Sequence, residues 1–142
     1  RIYNIHLASN WFKSSDYSFI KKPERKNMKN RIKGIIKSMK KSYKKRAEEV
    51  LIIKEHMNTS PYPIIICGDF NDTPLSFCYN KIKGTLIDSF VSSGNGIGQS
   101  FIGIPALRID YILHDKKMKS KNYTQHKQIL SDHFAISCNI KL

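Results

Sequence analysis

Cysteine is scarce in this 142-residue chain, and the three present, Cys67, Cys78 and Cys138, are an odd number without paired spacing. That speaks against a disulfide framework and against a cysteine zinc site, and leaves Cys67 and Cys138 as small hydrophobes within apolar strand patterns. Acidic residues are few as well, 11 against 25 lysines and arginines, for a formal charge of +14 and a pI near 9.8. A field of that sign attracts polyanions, nucleic acid or acidic lipid surfaces, without choosing between them. Arginine itself is rare, five of the 25 cations, and a lysine-dominated surface suits diffuse attraction better than bidentate phosphate gripping. No apolar run approaches the roughly 18 residues of a membrane-spanning helix. The glycines of Gly94-Asn95-Gly96-Ile97-Gly98 lack the strand-then-helix context of a phosphate-cradling loop, so no nucleotide cofactor is assigned to them. Internal repeats and low-complexity linkers are absent.

What remains describes one globular domain spanning residues 1–142. Its hydrophobic content of 40% and aromatic content of 11% suffice for a core. The chain is expected to be soluble as given. It opens on Arg1 inside a strand-like run, so the natural start is expected to have been removed or to lie upstream, where a signal or envelope anchor would be out of sight.

The patterning predicts an α/β chain. Tyr3, Ile5 and Leu7 alternate with Ile2, Asn4 and His6, as in a strand with a polar end. Asn10 to Lys22 is aromatic but irregular and reads as a loop beside the site. From Glu24 to Asn58, Met28, Ile32, Ile35, Ile36, Met39, Tyr43, Ala47, Val50, Leu51 and Met57 recur at helical spacing, predicting a helix with a core-facing stripe and a lysine-covered solvent face. Gly34 marks a candidate break. Ser60-Pro61-Tyr62-Pro63 ends that helix, and Ile64-Ile65-Ile66-Cys67 is a β-branched strand of the kind buried on both faces. Asp72-Thr73-Pro74 is a helix-start signal with Asp72 or Thr73 as cap. Arg108 to Leu113 alternates again. So does the C-terminus, with Phe134, Ile136, Cys138, Ile140 and Leu142 on one face.

Three of these runs end in polar residues suited to catalysis: Gly68-Asp69-Phe70-Asn71, Arg108-Ile109-Asp110-Tyr111 and Ser131-Asp132-His133. Singly, each has an ordinary structural reading as a turn, cap, ion pair or satisfied core histidine. Carboxylates gathered without a partner repel one another and lose hydration, which makes a divalent cation their natural companion. Asp69 and Asn71, two apart, share a strand face if the extended geometry persists. Asp110 is spaced to orient the imidazole of His133, fixing its tautomer. The hard oxygens of Asp132, Asp69 and Asn71 favour Mg²⁺ or Mn²⁺ over zinc. Metal-assisted hydrolysis of a phosphate ester is the chemistry such a set supports.

At these residues the chain resembles the endonuclease/exonuclease/phosphatase superfamily, the DNase I-like phosphoesterases. The matching segments are Asn4-Ile5-His6-Leu7, Gly68-Asp69-Phe70-Asn71-Asp72, Arg108-Ile109-Asp110-Tyr111-Ile112-Leu113 and Ser131-Asp132-His133, in the family's order. The resemblance implies a four-layered sandwich of two mixed β-sheets flanked by helices. It implies that Asp69 positions or deprotonates the attacking water, that Asn71 contacts phosphate or metal, and that Asp132 binds the metal. His133, oriented by Asp110, would meet the phosphate oxygen on which charge grows, and His6 would lie beside the scissile phosphate. The Asn and metal-binding Glu that the family carries in its first half have no counterpart here, so residues 1–142 correspond to the C-terminal half of such a domain. From that follow two expectations: low activity for this chain alone, and self-association through the apolar sheet face that the other half would cover.

The expected activity is therefore that of a Mg²⁺-dependent phosphodiesterase or phosphatase, with a nuclease-type substrate favoured by the charge. A lipid or inositol phosphate phosphoesterase is one alternative, and a non-catalytic polyanion-binding module is another. Membrane association is left open.

Overall fold

In the computed structural model the described residues are 1–9 and 28–142. The predicted loop Asn10–Lys22 and the start of the predicted helix, residues 24–27, lie outside them. The first strand, β1 (Ile2–His6), follows the expected alternation: Tyr3 and Ile5 are half-buried and Leu7 is buried, while Ile2, Asn4 and His6 are exposed. Strand β2 (Ile65–Asp69) runs parallel to it, Ile2 facing Ile65 and His6 facing Asp69. A parallel pair needs a long crossover, and helix α1 (Met28–Asn58) is part of it. On the other side of β2 lies β4 (Asp110–His114), antiparallel, with Asp69 opposite Asp110. The two-residue strand β3 (Ile87–Asp88) forms the edge, giving a mixed sheet of order β1-β2-β4-β3.

Helix α1 is continuous through Gly34. Its stripe, however, meets the core only in the second half, where Val50 and Met57 are buried and Ile53 packs against them. Met28, Ile32, Ile36 and Tyr43 are exposed, contrary to the expected core-facing stripe, and so is Leu51. The reason is length. A 31-residue helix extends about 46 Å, whereas a five-residue strand spans about 17 Å, so the first half of α1 has no sheet beneath it. Where the helix first reaches the core its inward side chains are Ser42 and Arg46, both fully buried, which no apolar periodicity announces.

Helix α2 (Phe77–Lys83) is capped by Ser76, whose Oγ accepts from the Tyr79 amide at 3.1 Å. The expected cap, Asp72 or Thr73, is displaced because the Asp72 carboxylate is drawn inward to Arg46 Nε at 3.3 Å. The core joins Leu7, Val50, Ile66, Phe70, Ile82 and Leu113 to the ring stack of Phe70, Tyr111 and Tyr79, with centroids 4.7 and 4.8 Å apart. Burial pushes the Cys78 thiol up to about 11, as befits an inert core residue. Behind the rings lies a buried ion pair. Arg108 Nη1 donates to Asp88 Oδ2 at 2.7 Å, the Tyr79 hydroxyl donates to the same oxygen, and Asp88 Oδ1 caps the short helix α3 (Ser89–Ser93) through the Phe90 amide.

A second, two-stranded antiparallel sheet is made by β5 (Lys119–His126) and β6 (Ala135–Lys141). The first sheet is mixed as expected, and this one is antiparallel. Ile136, Cys138 and Ile140 share one half-buried face of β6 and line a gap with Ile65, Cys67 and Ile112 of the first sheet; Leu142 is exposed. Strand β5 has a polar sequence with an irregularity between Lys121 and Thr124, where Asn122 takes a φ of +56°. The three cysteines are free. Among the described residues no helix is long and apolar enough to cross a membrane.

Removing one partner of a buried ion pair strands the other charge. Asp88→Ala is therefore expected to lower the unfolding free energy by about 3–5 kcal/mol, and replacing both Asp88 and Arg108 by leucine or methionine should recover the part due to the stranded guanidinium but not the part due to the Tyr79 hydroxyl and the α3 cap. Urea denaturation midpoints of the two variants measure this directly.

Candidate active site

The strand register places His6, Asp69 and Asp110 side by side on one rung across β1, β2 and β4. Gly68 makes that rung possible. Its φ is +143°, and a Cβ there would run into the Ile5 carbonyl of the neighbouring strand. Any other residue would push β1 away from β2 just before the paired polar ends.

Strand pairing stops after Asp69. Phe70 still donates its amide to the Ile109 carbonyl at 2.8 Å, but Asn71 turns into the left-handed region at φ +50°. The expectation that Asp69 and Asn71 share a face of a continuing strand is thus replaced by a tighter arrangement, a turn that folds Asn71 back onto Asp69. Asparagine tolerates this conformation better than most residues. Asp69 Oδ1 accepts from the Asn71 amide at 2.7 Å and Oδ2 from Asn71 Nδ2 at 2.9 Å; Nδ2 also donates to the Leu7 carbonyl at 3.0 Å. Both side-chain amide hydrogens are committed, so a ligand is offered the carbonyl oxygen of Asn71.

On the other flank Asp110 Oδ2 meets His133 Nδ1 at 2.8 Å, leaving Nε2 as the free ring nitrogen. Two devices hold this pair. The buried Ser100 Oγ accepts from the amides of both Ile109 and Asp110 at 3.0 Å. Residues 100–102 then splint the segment that carries the histidine. Phe101 bridges to His133, the Ile102 amide donates to the Asp132 carbonyl, and the Phe134 amide donates to the Ser100 carbonyl. The Phe101 ring meets the imidazole edge-on at 5.2 Å. Ser100 and Phe101 follow a glycine-rich loop without strand periodicity, so no sequence signal marked their positioning role.

These groups face a cavity of about 600 Å³. His6, Asp69, Asn71, Asp110, Asp132 and His133 all contribute to its wall, so every residue expected at the site lies on one cleft. They differ in intimacy. Among the described residues, Asp69, Asp110 and His133 offer ligand atoms within 4.8 Å of one another. Asp132 lines the same cavity from an exposed position, and His6 Nε2 stands 3.6 Å from Asp69 Oδ2 with its side chain largely in solvent. Besides Ser9, Asp72 and Thr73, the wall includes an apolar part that was not anticipated, with Met39, Tyr43, Ile104 and Leu107 beside Phe101.

Burial holds the Asp69 carboxyl above its ordinary value near 3.8, and the Asp110 carboxylate adds to that rise, while the Asn71 amide and the two histidines oppose it. A carboxylate raised in this way is better suited to accepting a proton than an ordinary aspartate. The carboxylates of Asp69 and Asp132 and the amide oxygen of Asn71, all on the cavity wall, are hard donors suited to a divalent cation such as Mg²⁺ or Mn²⁺.

A family model described as the endonuclease/exonuclease/phosphatase family matches residues 42–133, from the core-facing part of α1 to the site histidine. Solved structures share the fold. An endonuclease/exonuclease/phosphatase from Bacteroides vulgatus is 23% identical, with a TM-score of 0.61 over 70% of this chain and 45% of that one. A mannosyl-6-phosphatase from Bacteroides thetaiotaomicron VPI-5482 is 22% identical, with a TM-score of 0.55 over 70% and 46%. A family protein from Leptotrichia buccalis C-1013-b is 27% identical, with a TM-score of 0.52 over 63% and 41%. The chain thus spans less than half the length of these relatives. No curated protein matches it.

Because the Asp69 midpoint is raised on folding, its contribution to stability is fully present below the ordinary value and is lost as pH rises through the raised midpoint. Carboxyl ¹³C titration is expected to give Asp69 a higher midpoint in the folded chain than in urea. Equal midpoints in the two states would contradict the burial described here.

Proposed function

Because the chain belongs to the endonuclease/exonuclease/phosphatase family, we propose that its cleft carries out metal-dependent hydrolysis of a phosphate ester. The observation that carries this reading is the rung of His6, Asp69 and Asp110, with Asn71 folded onto Asp69 and His133 hydrogen-bonded to Asp110 at the mouth of one cavity.

In this reading Asp69 orients the attacking water and takes its proton, which its raised midpoint favours. By accepting a hydrogen bond from His133 Nδ1, Asp110 aligns the ring so that its other nitrogen, when protonated, donates to the phosphoryl oxygen that gains charge. His6, exposed at the end of β1, supplies a second donor for the phosphate. The oxygens of Asp69, Asn71 and Asp132 would hold Mg²⁺ or Mn²⁺. When bound, such an ion neutralises charge on the phosphoryl group and makes water more acidic.

The charge of +14 favours a phosphodiester within a polyanion, hence a nuclease-type substrate, since a basic surface concentrates such a chain around the cleft. One fold neighbour is a mannosyl-6-phosphatase, which keeps monoesters among the substrates to be assayed.

In the full-length protein, Asp69→Ala and His133→Ala are each expected to lower kcat on the true substrate by about 10²–10⁴-fold, and chelation should abolish turnover. The panel comprises plain and abasic duplex DNA, sphingomyelin and phosphoinositides. Unchanged turnover in either variant would remove the mechanism. Salt-sensitive DNA binding without metal-dependent cleavage would instead favour a non-catalytic polyanion-binding module. The 142-residue chain alone is expected to turn over poorly and to bind Mg²⁺ weakly, and tight binding in titration calorimetry would contradict that.

A further inference from the structure

The first half of α1 joins two properties that rarely coincide without a partner. Met28, Ile32 and Ile36 are exposed, and at about 100° per residue Met28, Ile32, Ile35 and Met39 fall in the same angular sector as Arg46, Val50, Ile53 and Met57. A single face therefore runs the length of the helix. Its second half is covered by the sheet, and its first half is covered by nothing comparable among the described residues. The rest of that first half is cationic. Lys29, Lys33, Lys37, Lys40, Lys41 and Lys44 are exposed, and no acidic residue occurs between Met28 and Ala47.

We propose that this overhanging half of α1 docks on an anionic lipid bilayer, with its isoleucines and methionines sunk among the acyl chains and its lysines on the headgroup phosphates. An apolar stripe flanked by a broad lysine face is the pattern of a helix lying in the plane of a membrane interface. Other occupants use only half of it. Nucleic acid would engage the lysines and leave the isoleucines in water. A second copy of the chain would cover the isoleucines but bring lysine faces together. An anionic bilayer offers both an apolar interior and surface charge of the opposite sign.

The docking has a direction. Met39 and Tyr43, at the inner end of the stripe, line the catalytic cleft, so a bilayer lying against this face confronts the mouth that holds Asp69 and His133. A headgroup phosphate ester would then be presented to the site. That last step rests on the phosphoesterase reading, whereas the docking itself rests on the helix alone.

Co-sedimentation of the full-length protein with phosphatidylcholine vesicles, with and without phosphatidylglycerol, tests the docking without any turnover. Binding is expected only with phosphatidylglycerol, weakening with salt. Ile32→Glu combined with Ile36→Glu should reduce it by about tenfold or more, as should Lys33→Gln combined with Lys37→Gln. Neither pair touches the cleft, so hydrolysis of a soluble phosphodiester should stay unchanged in both; its absence from the wild type would count against the phosphoesterase reading alone. Equal binding to both vesicle types, no binding, or binding indifferent to the isoleucines would overturn the docking. So would a glutamate pair that lowers thermal stability or changes oligomeric state, since either would mean that protein covers the stripe. Duplex DNA bound in place of vesicles would assign the lysines to nucleic acid instead.

Discussion

The buried guanidinium of Arg46 is the interaction on which the geometry of the cleft depends. It sits in the core-facing turn of α1, donates to the Ala8 carbonyl just beyond β1 and to the Asp72 carboxylate just beyond β2, and lies over the Tyr43 ring at 4.7 Å. One turn further along the helix, Glu49 accepts from the Ala8 amide. A single stretch of helix thus clasps the chain at two points, immediately after His6 and immediately after Asn71. A buried ion pair is seldom a net source of stability compared with an apolar pair of similar size. Its value here is positional, because two loops leaving parallel strands are fixed to a common rigid element.

The same logic separates what was legible in the sequence from what was not. Segments that carry both an apolar strand pattern and a polar terminus, such as Ile65 to Asp69 and Ile109 to Tyr111, announce themselves because alternation and chemistry coincide. The order of Asp69, Asp110 and His133 along the chain was enough to suggest one cleft. Polar residues that work from inside the core were invisible. Nothing in the sequence distinguishes Arg46 from the lysines around it, or Ser100 from the serines of the preceding loops. Strand β5 has no apolar alternation, since its pairing with β6 is carried by the backbone. The Asp72 cap failed for a related reason: the local signal for a helix start was sound, but a distant cation competed for the same carboxylate. The apolar stripe of α1 is correct as periodicity and incomplete as burial, because periodicity says which face is apolar and not how much of the sheet lies beneath it.

Charge divides the molecule in two. The chain is strongly basic, yet the cleft is lined by Asp69, Asp72, Asp110 and Asp132. On the proposed phosphoesterase reading, an anionic substrate drawn in by the long-range field of the lysines would meet local repulsion at the site, which a bound divalent cation would relieve. Burial is the main cause of the elevated midpoint of Asp69, and the neighbouring Asp110 carboxylate adds to it.

The register of the rung also bears on how the protein is made. His6, Asp69 and Asp110 are separated by more than a hundred residues of chain in all, and they meet only when a parallel pair and an antiparallel pair have both closed in the correct alignment. Such long-range pairings are slow steps in folding because loop closure must precede the contacts that reward it. A slip of one residue in either pair would turn a carboxylate to the opposite face of the sheet. A nascent or partly unfolded chain therefore lacks the assembled rung, and the cleft takes shape together with the finished sheet.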